Sequence, residues 1–528
     1  MKKKTKKLLL SLALLTASAT INAQCTTTNI TGNFIQNTDI ILSGTYNVSG
    51  LFYVPPGVTV YVSGYSFGGC GKLEVNAQTI IIEGTINGDF SGYTGGNAGL
   101  GATAITSITG DAIAITNCNN KDFTGQVSLE GGKAGQNGNG AGAGSSGTNG
   151  SGGSGPKQQC LSNNDEAGMI GSSGGGGAGG GGSYGGTGIA GGSGGDGTNN
   201  YTATGVNVST GFVIVGGTGG TGGASGNVYG TATGADIDLG SSGAGSGGGG
   251  LSFDLGLQGN KGGSGGGLVK FVAVDSLAVT GTITVNGENG KTGGAAGNGG
   301  QSPNCCSDGC DDAGEATLSC GAGGGGGSGA GSGGGIYLET QNAAFINGTL
   351  NSKGGNVGNG GTAGTGVTIN YSGGIFCGTQ TITSGNGSAG NTGGAGGGGR
   401  IKIFINNCSS FVNPVTNVNG GATALPGTYN VICTTLGIEN NSVEKYSLLV
   451  YPVPATEELN VQFKNSVYPD EVGNIEVADL SGRIIFSAPC KLNKQSAQTI
   501  SLSDFAAGIY FIKIQADNIT VQQKFIKQ

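Results

Sequence analysis

The sequence predicts an all-β chain: a glycine-rich, right-handed parallel β-helix or solenoid body followed by a small antiparallel β-sandwich. Three observations carry that prediction. Short runs alternate apolar and polar residues with a period of two, the signature of half-buried strands. The runs recur around a shared Gly-Thr-aliphatic step, at Gly84-Thr85-Ile86, Gly281-Thr282-Ile283 and Gly348-Thr349-Leu350. Of 120 glycines only three, Gly473, Gly482 and Gly508, fall after residue 450, so composition itself divides the 528 residues.

Residues 1–23 read as a secretory signal. Lys2, Lys3, Lys4, Lys6 and Lys7 form a basic start, Leu8 to Leu15 an apolar core, and Ala23 before Gln24 a cleavage point. The apolar run is too short to span a bilayer as a mature helix, so a chain that does not span the membrane is expected. Cys25 raises lipidation as an alternative, although Gln24 stands where that signal needs a small residue.

Residues 24–120 are expected to form an N-terminal strand region. Ile40-Ile41-Leu42, Leu51-Phe52-Tyr53-Val54 and Val58 to Val62 are strand candidates, with Pro55-Pro56-Gly57 as a turn between two of them. The first repeat copy follows, with Leu73, Val75, Ile80, Ile82 and Ile86 on one parity.

Residues 121–435 are expected to continue the solenoid with low-complexity excursions. A second copy puts Val269, Phe271, Ala273, Leu277, Val279, Ile283 and Val285 on one parity, with Thr280, Thr282 and Thr284 on the outer one. A third has Ile336, Leu338, Ala344, Ile346 and Leu350; a fourth starts with Ile401, Ile403 and Ile405 and is broken by Pro414. Such a unit cannot bury its apolar face alone and must stack. The glycine runs keep no strict every-third-residue rule, which excludes collagen. GGTGGTGGASG at 216–226 approaches a three-residue period, suited to polyproline-II-like strands packed side by side; loop disorder is the competing reading.

Charge and composition narrow the function. Net charge is −7, and loss of the signal lysines takes it to −12, which argues against nucleic acid or anionic lipid as partner. Histidine is absent, so Ser-His-Asp, Cys-His and histidine-metal sites are excluded. Twelve cysteines in an exported chain suggest disulfides. Cys305, Cys306, Cys310 and Cys320 form a candidate disulfide cluster, with a metal site on these thiols or a calcium loop on Asp308, Asp311 and Asp312 as the alternatives. Residues 191–199 fit the outline of a calcium-binding nonapeptide, except that Thr198 replaces its apolar residue. Asp275-Ser276-Leu277 matches a short O-glycosylation sequon, or simply a turn. No catalytic residue, metal or cofactor is assigned.

After a linker at 436–446, residues 447–528 alternate strands and turns with ordinary glycine content, the pattern of a small β-sandwich. They carry Tyr451-Pro452-Val453-Pro454-Ala455, then Leu459-Asn460-Val461, then Ile475 to Arg483 with Asp479 and Gly482. Ile500-Ser501-Leu502, Phe505, Ala507-Gly508-Ile509-Tyr510 and Lys524-Phe525-Ile526-Lys527 complete the series. This set resembles the type IX secretion C-terminal sorting domain (type A), with Val453 in place of the family's asparagine. The resemblance implies export in two steps, partnership with the type IX machinery, and a passenger that is released or fixed to surface lipopolysaccharide.

For the body, the reading is a non-enzymatic structural or adhesin-like protein touching extracellular glycans or surfaces through a long repeat face. The alternative is a polysaccharide-degrading β-helix enzyme, a lyase or glycosidase, which needs paired carboxylates or acids near a base. The body's one arginine, Arg400, is the candidate for that role, with a structural role as its rival. Ice binding is a third idea and lacks a regular Thr-x-Thr array in the sequence.

Overall fold

The computed structural model describes residues 25–65, 70–109, 126–156, 166–208, 213–301, 317–372, 379–406, 413–433, 448–463, 471–492, 497–516 and 519–528. The signal segment with Ala23 and Gln24, the linker, and Cys305, Cys306, Cys310, Asp308, Asp311 and Asp312 lie outside them. The chain divides into two compact units, Met1–Thr434 and Thr435–Gln528. Regular structure among the described residues is β.

In the first unit each repeat copy is one rung: a long strand, a two-residue turn and a short strand. Lys72–Ile82 leads to Thr85–Asn87, and Leu268–Val279 leads to Thr282–Thr284. In the next rung Gly335–Thr340 and Ala343–Ile346 lead to Thr349–Asn351. In these rungs long strands pair with long strands and short with short, all parallel, with one register shift between Ala273 and Ser276; Leu268–Val279 contacts both Lys72–Ile82 and Gly335–Thr340 although 185 or more residues separate the first two. The result is a nine-stranded and a six-stranded parallel sheet. Their facing parities hold one core, including Val75, Phe271, Leu338 and Ile403 from one sheet and Ile86, Ile283 and Leu350 from the other. Ile283 and Leu350 are buried, and Thr282 and Thr349 face the other way, half-exposed.

Two details depart from the sequence reading. Pro414 does not break the fourth rung: it immediately precedes the strand Val415–Asn417, which pairs in register with Thr349–Asn351. A proline ahead of a strand's first residue removes no ladder donor. Thr284, expected on the outer parity, is buried because its hydroxyl donates to the Asp89 carboxylate at 2.6 Å.

Neither sheet closes on itself. The rungs instead run on into the glycine-rich stretches, which form an ordered bundle. Residues 172–183 show the rule. The amides of Ser172, Gly175, Ala178 and Gly181 donate to Thr198, Gly195, Gly192 and Ile189, at 2.9–3.1 Å. Those of Gly174, Gly177, Gly180 and Ser183 donate to Ser151, Thr148, Ser145 and Gly142. The remaining third, Ser173, Gly176, Gly179 and Gly182, reach Leu251, Gly248, Gly327 and Ala330. Three directions with a three-residue period is how an extended helix of three residues per turn presents its amides, and such a helix has no internal hydrogen bonds of its own. The polyproline-II-like reading of the glycine runs therefore holds, over far more of the chain than 216–226.

Glycine is required there by contact distance. A Cβ on Gly177 would stand 1.9 Å from the Thr221 carbonyl oxygen. Stripped of side chains, the segments approach closely enough to bond backbone to backbone on every side, which satisfies peptide groups that are wholly buried at 171–184, 240–252 and 321–335. Serine occurs inside where its hydroxyl finds a carbonyl, as Ser172 does on Gly321 at 2.5 Å and Ser173 on Leu251 at 2.9 Å. At the bundle edge asparagine takes over: Asn286, Asn289 and Asn298 accept from the amides of Lys353, Asn356 and Thr365.

The second unit is two antiparallel sheets over one core. Leu448–Tyr451, Glu458–Phe463 and Gln498–Ser501 make the first; Ile484–Leu492, Glu471–Asp479, Gly508–Ala516 and Ile519–Lys527 make the second. Leu459, Val461, Ile475, Val477, Ile500, Ile512 and Phe525 are buried among one another.

Candidate functional site

The C-terminal unit brings its scattered motif blocks together. Ala455, buried, donates its amide to the Ile526 carbonyl at 2.8 Å and accepts from the Gln528 amide at 2.9 Å, so the first and last blocks meet. Tyr451, Pro452 and Pro454 stay exposed ahead of it. Phe525 is buried and stacks on Tyr510, with ring centroids 5.6 Å apart, while Lys524 and Ile526 point out and Lys527 is half-buried. Tyr510 in turn donates its hydroxyl to the Ala506 carbonyl at 2.8 Å.

Asp479 organises the turn between two strands. Its carboxylate accepts from the amides of Ser481 and Arg483, from the Ser481 hydroxyl, and from the Arg483 guanidinium at 3.2 Å. These bonds, the Ser481 hydroxyl first, hold its carboxyl below the usual range. Gly482 completes the turn at φ +80°, a left-handed conformation that favours glycine. Gly508 has no such demand: a Cβ there would meet nothing closer than 3.8 Å.

In the body, Arg400 is committed to structure. It is buried, its guanidinium donates to the Tyr229 and Gly230 carbonyls at 2.8 and 3.1 Å and to the Thr428 hydroxyl at 3.1 Å, and it lies 5.4 Å from the Tyr184 ring. Lys402, two residues on and fully buried, donates to the Gly234 carbonyl at 2.9 Å and pairs with Asp236 at 3.2 Å. Burial pulls the Lys402 ammonium below its ordinary pKa, and bonds from Thr231 chiefly, then Lys402, hold Asp236 low. Both cations pin the loop around 229–236 to a strand and face no open site.

The other motifs resolve in the same way. Asp196 of the nonapeptide spends its carboxylate on the Gly219 amide at 2.7 Å, and its neighbours are ordinary bundle members. Leu277 of the Asp275-Ser276-Leu277 sequon is in the core, and Ser276 is half-buried on the opposite parity, beside a register shift. Cys25, the residue that raised lipidation as an alternative, pairs with Cys70. Cys433 is disulfide-bonded as well. Cys320, expected in a disulfide, is a free thiol buried in a small cluster with Met169, Leu318 and Ile382, while the other three cysteines of that candidate cluster lie outside the described residues. Among the described residues no three metal-ligating side chains come together, and no helix is long and apolar enough to cross a membrane.

One feature escaped the sequence reading. A cleft of about 300 Å³ opens on the outer side of the short-strand sheet, lined by Ile41, Tyr61, Asn87, Asp89 and Phe90 among others. Tyr61 lies on the outer parity between buried Val60 and Val62, so its exposure was legible. Nothing in the local pattern marked Phe90, which follows the strand Thr85–Asn87 in a turn.

Comparison with known proteins identifies the C-terminal unit. Residues 449–528 match the family described as the secretion system C-terminal sorting domain. This is the sorting domain of type IX secretion; it marks the chain for export, to secretion or to the outer surface, and implies interaction with that machinery. No curated protein matches the chain.

Proposed function

We propose that the exported chain is a non-enzymatic structural protein of the adhesin type, delivered by residues 1–23 and then by the sorting domain, with cleavage after Ala23. The observation that carries this reading is the buried glycine bundle. An interior cross-linked backbone to backbone in three directions makes a stiff body, and the stacked parallel rungs of a right-handed solenoid offer a long repeated face on it. Asp89, Asp196 and the body's one arginine are engaged with backbone groups of the fold, which suits a scaffold. Weak contacts repeated along such a face give useful avidity to glycans or to surfaces, lipopolysaccharide included.

Binding of the purified chain to glycan arrays and to solid surfaces, run beside a polysaccharide-depolymerisation screen, tests the reading. Adsorption or glycan binding without depolymerisation is expected. Release of oligosaccharides from a polymer would establish the lyase or glycosidase alternative instead.

A further inference from the structure

We propose that the cleft at Ile41, Tyr61 and Phe90 is a binding site for a neutral saccharide. The inference deepens the adhesin reading and rests on it. Three observations converge on the site.

The first is Phe90 itself. It is 49 % exposed and holds φ at +59°, where a bulky side chain is a genuine outlier. The ring gains little from burial while its backbone strain costs stability, and strain of this kind gathers at ligand sites. The second is the pinning of the turn that carries it. The Phe90 amide donates to the Asn286 carbonyl at 2.9 Å. Asp89 accepts from the Thr284 hydroxyl and the Asn286 amide, both at 2.6 Å, and its own amide donates to Asn87 at 3.0 Å. The ring is held in place before any ligand arrives, which lowers the entropic cost of binding.

The third is the chemistry of the lining. Tyr61, 42 % exposed, and Ile41, 68 % exposed, add an amphipathic ring and an apolar wall. An apolar concavity with a few fixed polar groups is the usual form of a small-ligand site, and about 300 Å³ is at the small end of that class. A pyranose fits this mixture, because it offers an apolar C–H face to an aromatic ring and hydroxyls at its rim to an amide such as Asn87. Among the described residues no lysine or arginine lines the cleft, and Asp89 is acidic, so an anionic sugar is disfavoured.

The test uses the full chain and soluble oligosaccharides: neutral gluco-, xylo-, manno- and chito-oligomers, with oligouronates as the anionic contrast, followed by saturation-transfer NMR and calorimetry. Phe90→Gly is the decisive variant. Glycine adopts φ +59° without strain, so the variant keeps or raises the melting temperature while losing the ring. Phe90→Gly and Tyr61→Ala are each expected to weaken binding of a neutral oligomer at least about tenfold. Absence of neutral-sugar binding by the parent chain, equal or tighter binding of oligouronates, or unchanged affinity in both variants would each overturn the site. If both variants bind as the parent does, the adhesin reading survives without this site; if the parent adheres to no glycan and no surface, both fail.

Discussion

A Cβ placed on Gly281 would stand 1.9 Å from the carbonyl oxygen of Gly84, one rung below it in the stack. The same contact recurs one rung above, where a Cβ on Gly348 would stand 2.2 Å from the Gly281 oxygen. The shared Gly-Thr-aliphatic step is thus a steric rule of stacking: the turn carbonyl of each rung accepts the following threonine amide of the next, as Gly84 accepts from Thr282 at 3.0 Å.

Gly281→Ala is therefore expected to destabilise the body by about 1–3 kcal/mol or more, because the obstacle is backbone and has no flexible end to move. Gly508→Ala in the sorting domain, where space is open, is expected to be near neutral. Denaturant unfolding of both variants checks the pair; equal stability of Gly281→Ala and the parent would contradict the stacking rule.

Arg400→Lys is expected to cost about 1–3 kcal/mol, since lysine cannot reproduce the bonds to Tyr229, Gly230 and Thr428 from one planar group. The loss should appear in unfolding and leave saccharide binding by folded protein unchanged. A variant of parental stability would remove the structural role assigned to this side chain.

Cys320 carries a prediction about reactivity. Burial pushes its thiol up to about 11, so at pH 8 almost none is thiolate. Iodoacetamide should leave it unmodified in the native chain and alkylate it after unfolding without reductant, whereas Cys25 and Cys70 should need reduction first. Failure of Cys320 to label after unfolding would place it in a disulfide after all.

How much of this was legible in the sequence depends on whether a residue has a side chain to carry a pattern. The parity of Val269, Phe271, Ile283 and Leu350 announced the rungs, because burial on one face writes a period of two. Tyr451 to Ala455 and Lys524 to Lys527 announced the sorting domain through their order, although not that Ala455 and Gln528 bond to each other. The bundle partners were hidden. Gly179 donates to Gly327, and glycine at both ends of a bond 148 residues long in sequence says nothing about which glycine it meets. Thr284 misled because its outward parity is overridden by a long-range acceptor, Asp89.

Deleting Lys524 to Gln528 is expected to hold the protein in the periplasm. The deletion removes Phe525 from Tyr510 and frees both backbone groups of Ala455, so the motif blocks no longer meet. Cell fractionation reads the outcome, and normal surface delivery of the truncated chain would show that export does not use this domain's terminal strand.

Hydrogen exchange on the glycine segments tests the central claim most directly, that the glycine-rich stretches are a cross-bonded interior. A solvated low-complexity loop exchanges at once, while buried, bonded amides exchange only through opening of the structure. Amides of residues 172–183, 241–251 and 321–334 are predicted to be as protected as those of the core strand Leu268–Val279, with exposed edge positions such as 148 and 221 exchanging sooner. Exchange of all three segments at the rate of an unfolded chain would contradict the account.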